Sequence, residues 1–226
     1  MAVDGITAEA GRFHEDLGIW VRTTPLIHSH LRSALFLDRD GVIVEDPGYL
    51  GSAADMVMIA GAAEIIRLAN RLEVPVLEVT NQAGIARGYY GWKEFLEVEA
   101  ALTRALAGAG AVIDGALACP YHRDGTAPWV HPAHPARKPR PGMLLAAAQF
   151  LDLDLSNSWI VGDKIGDLQA GCNAGLRGGL HVLTGHGPQH RKAALEFKVP
   201  GFDLRLGNSI QDAASIVHLI SQHRSP

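Results

Sequence analysis

The sequence predicts a doubly wound α/β fold: a three-layer α/β/α arrangement around a mainly parallel sheet. Two observations carry that expectation. Short aliphatic runs alternate with stretches of helical periodicity along most of the chain, the pattern of strand–helix–strand units. Several of those runs also stop abruptly at acids, hydroxyls or amides. In sheets wound this way, ligands bind beyond the carboxyl ends of the strands, near the switch in strand order.

Residues 1–30 are weakly patterned and read as an N-terminal arm, with residues 31–226 as a single domain. Residues 34–37 form a buried strand that stops at Asp38. Residues 61–72 carry Ile65, Leu68 and Leu72 at helical spacing, and residues 74–79 are a second strand ending in Thr80-Asn81-Gln82. Residues 92–109 are the longest helix, with Phe95, Val98, Leu102, Leu106 and Ala109 along one stripe. Residues 111–119 read as a third strand. The proline-studded stretch from Pro120 to Pro141 has no periodicity and contains three histidines, which marks a functional loop. Pro141 opens a helix over 143–151. A fourth strand, 158–161, stops at Gly162-Asp163. A helix over 168–174, a fifth strand at 179–183 and a terminal helix over 209–222 complete the pattern, with Ser209 and Asp212 spaced as a capping box.

Composition excludes several function classes. The 226 residues are 47% apolar and 19% charged, which argues against disorder. Twenty basic against 24 acidic side chains leave a net charge of −4, so no electrostatic attraction to nucleic acid or an anionic membrane is expected. The four tryptophans scatter without a stacking pattern. No apolar run approaches the ~20 residues that span a bilayer, and no secretory leader is visible. Two cysteines, Cys119 and Cys172, exclude a disulfide scaffold and suit a reducing compartment. The expectation is a cytoplasmic monomer.

The strand ends carry the chemistry. Asp38-Arg39-Asp40 alone reads as a solvated turn. It also suits a nucleophilic carboxylate and a proton-transfer carboxylate that share a hard cation such as Mg²⁺. Thr80 and Asn81 add a hydroxyl, a backbone N–H and an amide where phosphate oxygens can be held. Gly162-Asp163-Lys164 supplies a further carboxylate. Arg137-Lys138, closing the long loop, supplies two cations for an anionic substrate, and Arg39 stands beside the acids as another substrate-binding candidate.

These motifs resemble the haloacid dehalogenase (HAD) superfamily of phosphotransferases. Asp38-Arg39-Asp40-Gly41-Val42-Ile43, Gly48-Tyr49, Thr80 to Gly88, Cys119-Pro120, Arg137 to Met143 and Val161 to Lys164 are similar, in collinear order over about residues 34–185, to the heptose-1,7-bisphosphate phosphatases. The histidinol-phosphate phosphatases share most of them. The resemblance implies that Asp38 attacks phosphorus and that Asp40 moves the proton. It implies that Asp38, the Asp40 backbone carbonyl and Asp163 hold Mg²⁺. Thr80, Asn81 and Lys138 would grip the phosphoryl oxygens, with Lys164 and Asp167 orienting Lys138 or the metal shell and Arg137 reaching a second phosphate or a sugar hydroxyl. A catalytically silent phosphate-binding protein is the reading from another class. Forty-one residues between Asp38 and Thr80, and 57 between Thr80 and Lys138, leave no room for a cap domain in either gap, so an open site is expected.

The family's structural zinc is held by Cys-x-His and then Cys-x-Cys before the Arg-Lys-Pro. Here Cys119 is present, but the other positions include Tyr121, His134 and Ala136. The loop is expected to have lost that site, or to have rebuilt it from Cys119, His122, His131 and His134.

Overall fold

The structure is a computed structural model and describes residues 11–24 and 31–222. In chain order the elements are β1 (Arg12–His14), β2 (Ile19–Thr23), β3 (Leu35–Leu37), α1 (Ala62–Arg71), β4 (Val76–Asn81), α2 (Ala83–Ala86), α3 (Trp92–Gly108), β5 (Gly115–Cys119), α4 (Gly142–Leu151), β6 (Trp159–Gly162), α5 (Ile165–Asn173), β7 (Gly178–His181), α6 (Gly187–Glu196), β8 (Asp203–Leu206) and α7 (Ala214–Gln222). They build one sheet in the order β1-β2-β5-β4-β3-β6-β7-β8. Strands β3 to β8 pair in parallel, and the β1–β2 hairpin joins β5 antiparallel.

The pleat sends alternate side chains to opposite faces, and each face is covered. Leu35, Leu37, Val76 and Val161 pack with α1, the inner side of α3, and α7. Phe36, Leu77, Val79, Leu117 and Ile160 pack with α4 and α5. Three layers result, as expected. The chain leaves β3 toward β4 and β5 on one side, and β6 to β8 lie on the other. The crevice beside β3 is therefore the switch point where a ligand is expected. Among the described residues no cap domain is inserted.

Several elements differ from the sequence reading. Residues 12–23, assigned there to an N-terminal arm, form the outer two strands of the sheet, and Trp20 is 1% exposed beneath them. The rest of that segment, residues 1–10 and 25–30, lies outside the described residues. The helix expected from 168 starts at Ile165, because the Asp167 carboxylate accepts the Lys164 backbone N–H at 3.0 Å and caps it. The expected 209–222 helix begins as a 3₁₀ turn, Ile210–Ala213, with the Ser209–Asp212 box in place. α6 and β8 had no sequence signal strong enough to be read. β8 is exposed at Asp203 and Leu206, so its burial pattern lacks the apolar run that marked the inner strands.

Trp20 packs edge-on against Phe95 of α3 at 5.2 Å between ring centroids. Trp20→Ala is therefore expected to cost about 3–5 kcal/mol of unfolding free energy, read from denaturant curves. A loss below about 1 kcal/mol would show the hairpin to be an accessory of the sheet instead of part of its core.

Candidate active site

The carboxyl ends of β3, β4 and β6 bring Asp38, Asn81 and Asp163 to one place, and the proline loop delivers Lys138 between them. Asp38 is 5% exposed. Its Oδ1 accepts the Arg39 backbone N–H at 2.8 Å and the Lys138 ammonium at 3.0 Å. Lys138 Nζ also meets Asp167 Oδ1 at 2.6 Å and donates to the Val79 carbonyl at 2.8 Å. Asn81 pins the loop to β4: its amide donates to the Lys138 carbonyl at 3.0 Å and its oxygen accepts the Lys138 N–H at 3.1 Å. Burial alone would push the Lys138 ammonium toward neutrality. The Asp167 and Asp38 carboxylates outweigh it, so the amine stays charged well above its ordinary value.

The carboxylates outnumber that cation. Burial, then Asp167 and Asp163, drive the Asp38 carboxyl well above its usual range despite Lys138. Burial also pushes Asp163 up to about 6. Asp163 Oδ2 accepts the His186 N–H at 2.7 Å, while its buried Oδ1 has no donor among the described residues. Ligand atoms of Asp38, Asp163 and Asp167 lie within 4.8 Å of one another. An excess of buried carboxylate with an orphaned oxygen is the donor set a hard divalent cation suits. Gly41 lets the chain approach: its φ is +87°, and a Cβ there would stand 2.4 Å from Asp163 Oδ2. The carboxylate of Asp40 is not part of this cluster.

Asp40 instead faces Arg39 and Gln82. Arg39 Nε donates to Oδ1 at 2.9 Å and Nη2 to Oδ2 at 3.2 Å. Gln82 Nε2 reaches Oδ2 at 3.0 Å and Thr80 Oγ1 at 2.7 Å, and its oxygen accepts the Tyr90 hydroxyl. Arg39 corrects an expectation. It is wholly buried, with its remaining donor on Glu99 at 3.0 Å, so its guanidinium serves Asp40 and cannot reach a substrate. Thr80 is 1% exposed and lies behind Asn81, outside the cavity walls, with its hydroxyl oxygen taken by Gln82.

Two adjoining cavities of about 240 Å³ each open over these groups. One is walled by Asp38, Lys138, Asp167 and His190, the other by Tyr49, Arg87, His122 and His186. Both share Asp40, Asn81, Arg137 and Lys164. Sequence reasoning missed Gln82, Asp46 and His186. Asp46 accepts from Lys164 at 3.3 Å and lies 3.1 Å from His186 Nε2, tying the 45–50 flap to the far side of the site.

The first cavity opens at the N-terminus of α5, where backbone N–H groups favour an anion, beside the buried Asp38 carboxylate. Comparison with known proteins agrees with this arrangement. A family model described as HAD-hydrolase-like matches residues 135–203. The D-glycero-β-D-manno-heptose-1,7-bisphosphate 7-phosphatase of Mesorhizobium japonicum is 41% identical over 206 residues, 90% of this chain and 88% of that one. The chain belongs to the HAD-type phosphatases. A HAD-like phosphatase of Mesorhizobium loti superposes with a TM-score of 0.82 at 37% identity, covering 95% of this chain and 98% of its own. The D,D-heptose 1,7-bisphosphate phosphatase of B. bronchiseptica, solved with magnesium and phosphate, gives 0.71 at 30%, covering 81% and 96%.

The proline loop of this phosphatase does not fit the tetrahedral zinc site expected from the resemblance. Among the described residues, Cys119, His122, His131 and His134 do not converge as a ligand set. Tyr121 stacks flat on His134, centroids 4.0 Å apart and planes 3° from parallel. His134 Nδ1 accepts the Ala136 N–H at 3.2 Å and stands 3.9 Å from Cys119 Sγ. Its Nε2 is roofed by the hairpin, where a Cβ on Gly18 would come within 2.5 Å. His122 turns away, its Nδ1 accepting the Asp124 N–H and its Nε2 facing Arg87.

Burial, then the neighbouring His131, lower the His134 imidazole to about 4. Below the ordinary value near 6.5 the unfolded chain takes up a proton that the folded chain refuses. Stability is therefore lost as pH falls from about 6.5 toward 4. His134→Phe is expected to shrink the drop in melting temperature between pH 7 and pH 5; an unchanged drop would contradict the assignment.

Proposed function

We propose that this phosphatase removes the 7-phosphate of D-glycero-D-manno-heptose 1,7-bisphosphate through an aspartyl-phosphate on Asp38. The observation that carries the substrate class is the pair of adjoining cavities. One presents Asp38 and Lys138 to a phosphoryl group, and the other adds Arg87 to Arg137 and Lys164 of the shared wall for a second anion. Histidinol phosphate, with one phosphate, would leave the second set of cations unanswered. The relatives' names supply the sugar.

Asp38 attacks phosphorus; the P–O bond to the sugar breaks, and Asp40 gives its proton to the departing oxygen. Water then attacks the same phosphorus, Asp40 takes back a proton, and the Asp38–phosphorus bond breaks. Lys138 and Asn81 position the phosphoryl oxygens, with the Thr80 hydroxyl behind them, and Arg137 holds the distal phosphate through its planar fork. Mg²⁺, held by Asp38, Asp163 and the Asp40 backbone carbonyl with Asp167 alongside, would offset the repulsion between carboxylates and phosphate. The reading includes a single capless catalytic domain acting as a cytoplasmic monomer, without nucleic-acid or membrane partners. Two free cysteines fit a reducing compartment, and no helix among the described residues is long and apolar enough to cross a membrane.

Asp38→Asn is expected to abolish phosphate release while melting near the wild-type temperature. Retained turnover in that variant would rule out the covalent route. A chelator should silence the enzyme and added Mg²⁺ restore it, whereas a silent binder would show no turnover in either state. Arg137→Ala is expected to raise KM for the bisphosphate about tenfold or more, the value of a charged hydrogen bond. KM for the corresponding monophosphate should change less than about twofold. Equal effects on both substrates would remove Arg137 from the second-phosphate subsite.

A further inference from the structure

Behind Asp40 lies a buried chain of charged groups that the mechanism above does not use. Arg39, held between Asp40 and Glu99, has its guanidinium 5.4 Å from the Phe95 ring centre. Glu99, on α3, is 4% exposed; one oxygen accepts from Arg39 and the other has no donor among the described residues. Against it stands the carboxyl of Glu78, in the middle of β4 and wholly buried, with neither oxygen meeting an N–H or O–H among the described residues. The sheet register fixes the surroundings. Glu78 lies opposite Ala116 of β5, and Ala116 opposite Arg22 of β2, whose Nε is also buried and meets no acceptor among the described residues. The charged groups facing Glu78 are thus Glu99, Arg39 and Arg22.

Two carboxylates in contact in a water-free interior do not both ionise. With both written as anions, three buried oxygens lack a donor among the described residues; one proton, carried by a Glu78 oxygen and donated to the free Glu99 oxygen, satisfies two of them. We propose that Glu78 is a neutral carboxylic acid that donates to Glu99, and that this pair fixes Arg39 so that its fork holds Asp40 in place for proton transfer. Burial first, and then Glu99, drive the Glu78 carboxyl well above its ordinary range, against the pull of Arg39 and Arg22. Glu99 then keeps its charge for Arg39, and Arg39 keeps two donors on Asp40. Glu78 and Glu99 are positioning residues: neither touches the cavities. The opposite side of Asp40 is set independently by Gln82 and Tyr90. The inference rests on the reading of Asp40 as the proton-transfer group.

The test compares kcat/KM for the sugar bisphosphate, whose alkoxide must be protonated to leave, with that for 4-nitrophenyl phosphate, whose phenolate leaves unaided. Asp40→Asn should lower the sugar-to-aryl ratio by about 10²-fold, the lower bound for a positioned acid. Glu99→Gln should lower it by about tenfold with the aryl rate nearly unchanged. Glu78→Gln, whose amide supplies the same hydrogen to Glu99, should hold the ratio within about twofold. An unchanged ratio in Asp40→Asn would remove the underlying reading. A reduced ratio in Asp40→Asn together with equal loss on both substrates, or no loss, in Glu99→Gln would overturn the positioning chain alone. If Glu99→Gln fails to fold, the infrared spectrum of the wild type decides. A carboxylic-acid C=O band at neutral pH that vanishes in Glu78→Gln supports the neutral acid, and a spectrum unchanged by that substitution overturns it.

Discussion

One ammonium group, Lys138 Nζ, ties the site together. It is 5% exposed and bound at once to Asp38 of the β3 end, Asp167 of α5 and the Val79 carbonyl of β4. These contacts join the two central strands, the first turn of a helix and the end of a long loop. Removing the cation from such a buried cluster typically costs about 3–5 kcal/mol, because the carboxylates left behind stay out of water unpaired. The cluster is also unbalanced. Three carboxylates share Lys138 with only partly exposed Lys164 nearby. Burial that raises Asp38 and Asp163 would leave the nucleophile protonated at lower pH, and a divalent cation or an incoming cationic group reverses that bias. The same imbalance suits the site to a cation, and on the proposed reading it is what presents Asp38 as a charged nucleophile.

The proline loop illustrates how one architectural problem is solved without metal ligands in the usual places. Tyr121, His131, His134 and Trp129 form a run of ring contacts, and Phe13 of the hairpin packs edge-on against Trp129 and Trp92. The hairpin that roofs His134 also extends the sheet through β5. Arg137 emerges from this braced loop with Nη1 on the Tyr121 carbonyl at 2.9 Å. Its reach into the shared wall of the two cavities is thus set by aromatic packing and backbone contacts some distance from the reacting phosphorus.

Much of the fold was legible because the inner parallel strands are apolar runs buried on both faces. Leu35-Phe36-Leu37 and Trp159-Ile160-Val161 announce themselves, and Asp38 and Asp163, just beyond their ends, are two of the three clustered carboxylates. The hairpin was not legible. Arg12-Phe13-His14 and Ile19 to Thr23 are short and carry charges, and Phe13 and Trp20 pack with Phe95, Trp92 and Trp129, far away in sequence. Arg39 misled for a related reason. A cation beside two acids reads as a substrate ligand, and only the tertiary contact with Glu99 turns it inward. Gln82 lay within a quoted motif, but its role depends on its reaching Asp40 and Thr80. Glu78 is an acid inside an otherwise apolar strand, and its partner on α3 could not be read from spacing.

The claim on which the rest depends is that Asp38 forms a bond to phosphorus. Rapid acid quench of the Mg²⁺-loaded enzyme during turnover, followed by mass spectrometry of its peptides, tests it most directly. The account requires a phosphoryl group on the peptide containing Asp38, appearing and decaying at rates consistent with turnover. Steady turnover with no phosphorylated peptide under a quench faster than kcat, or with the phosphoryl group on another residue, would contradict it.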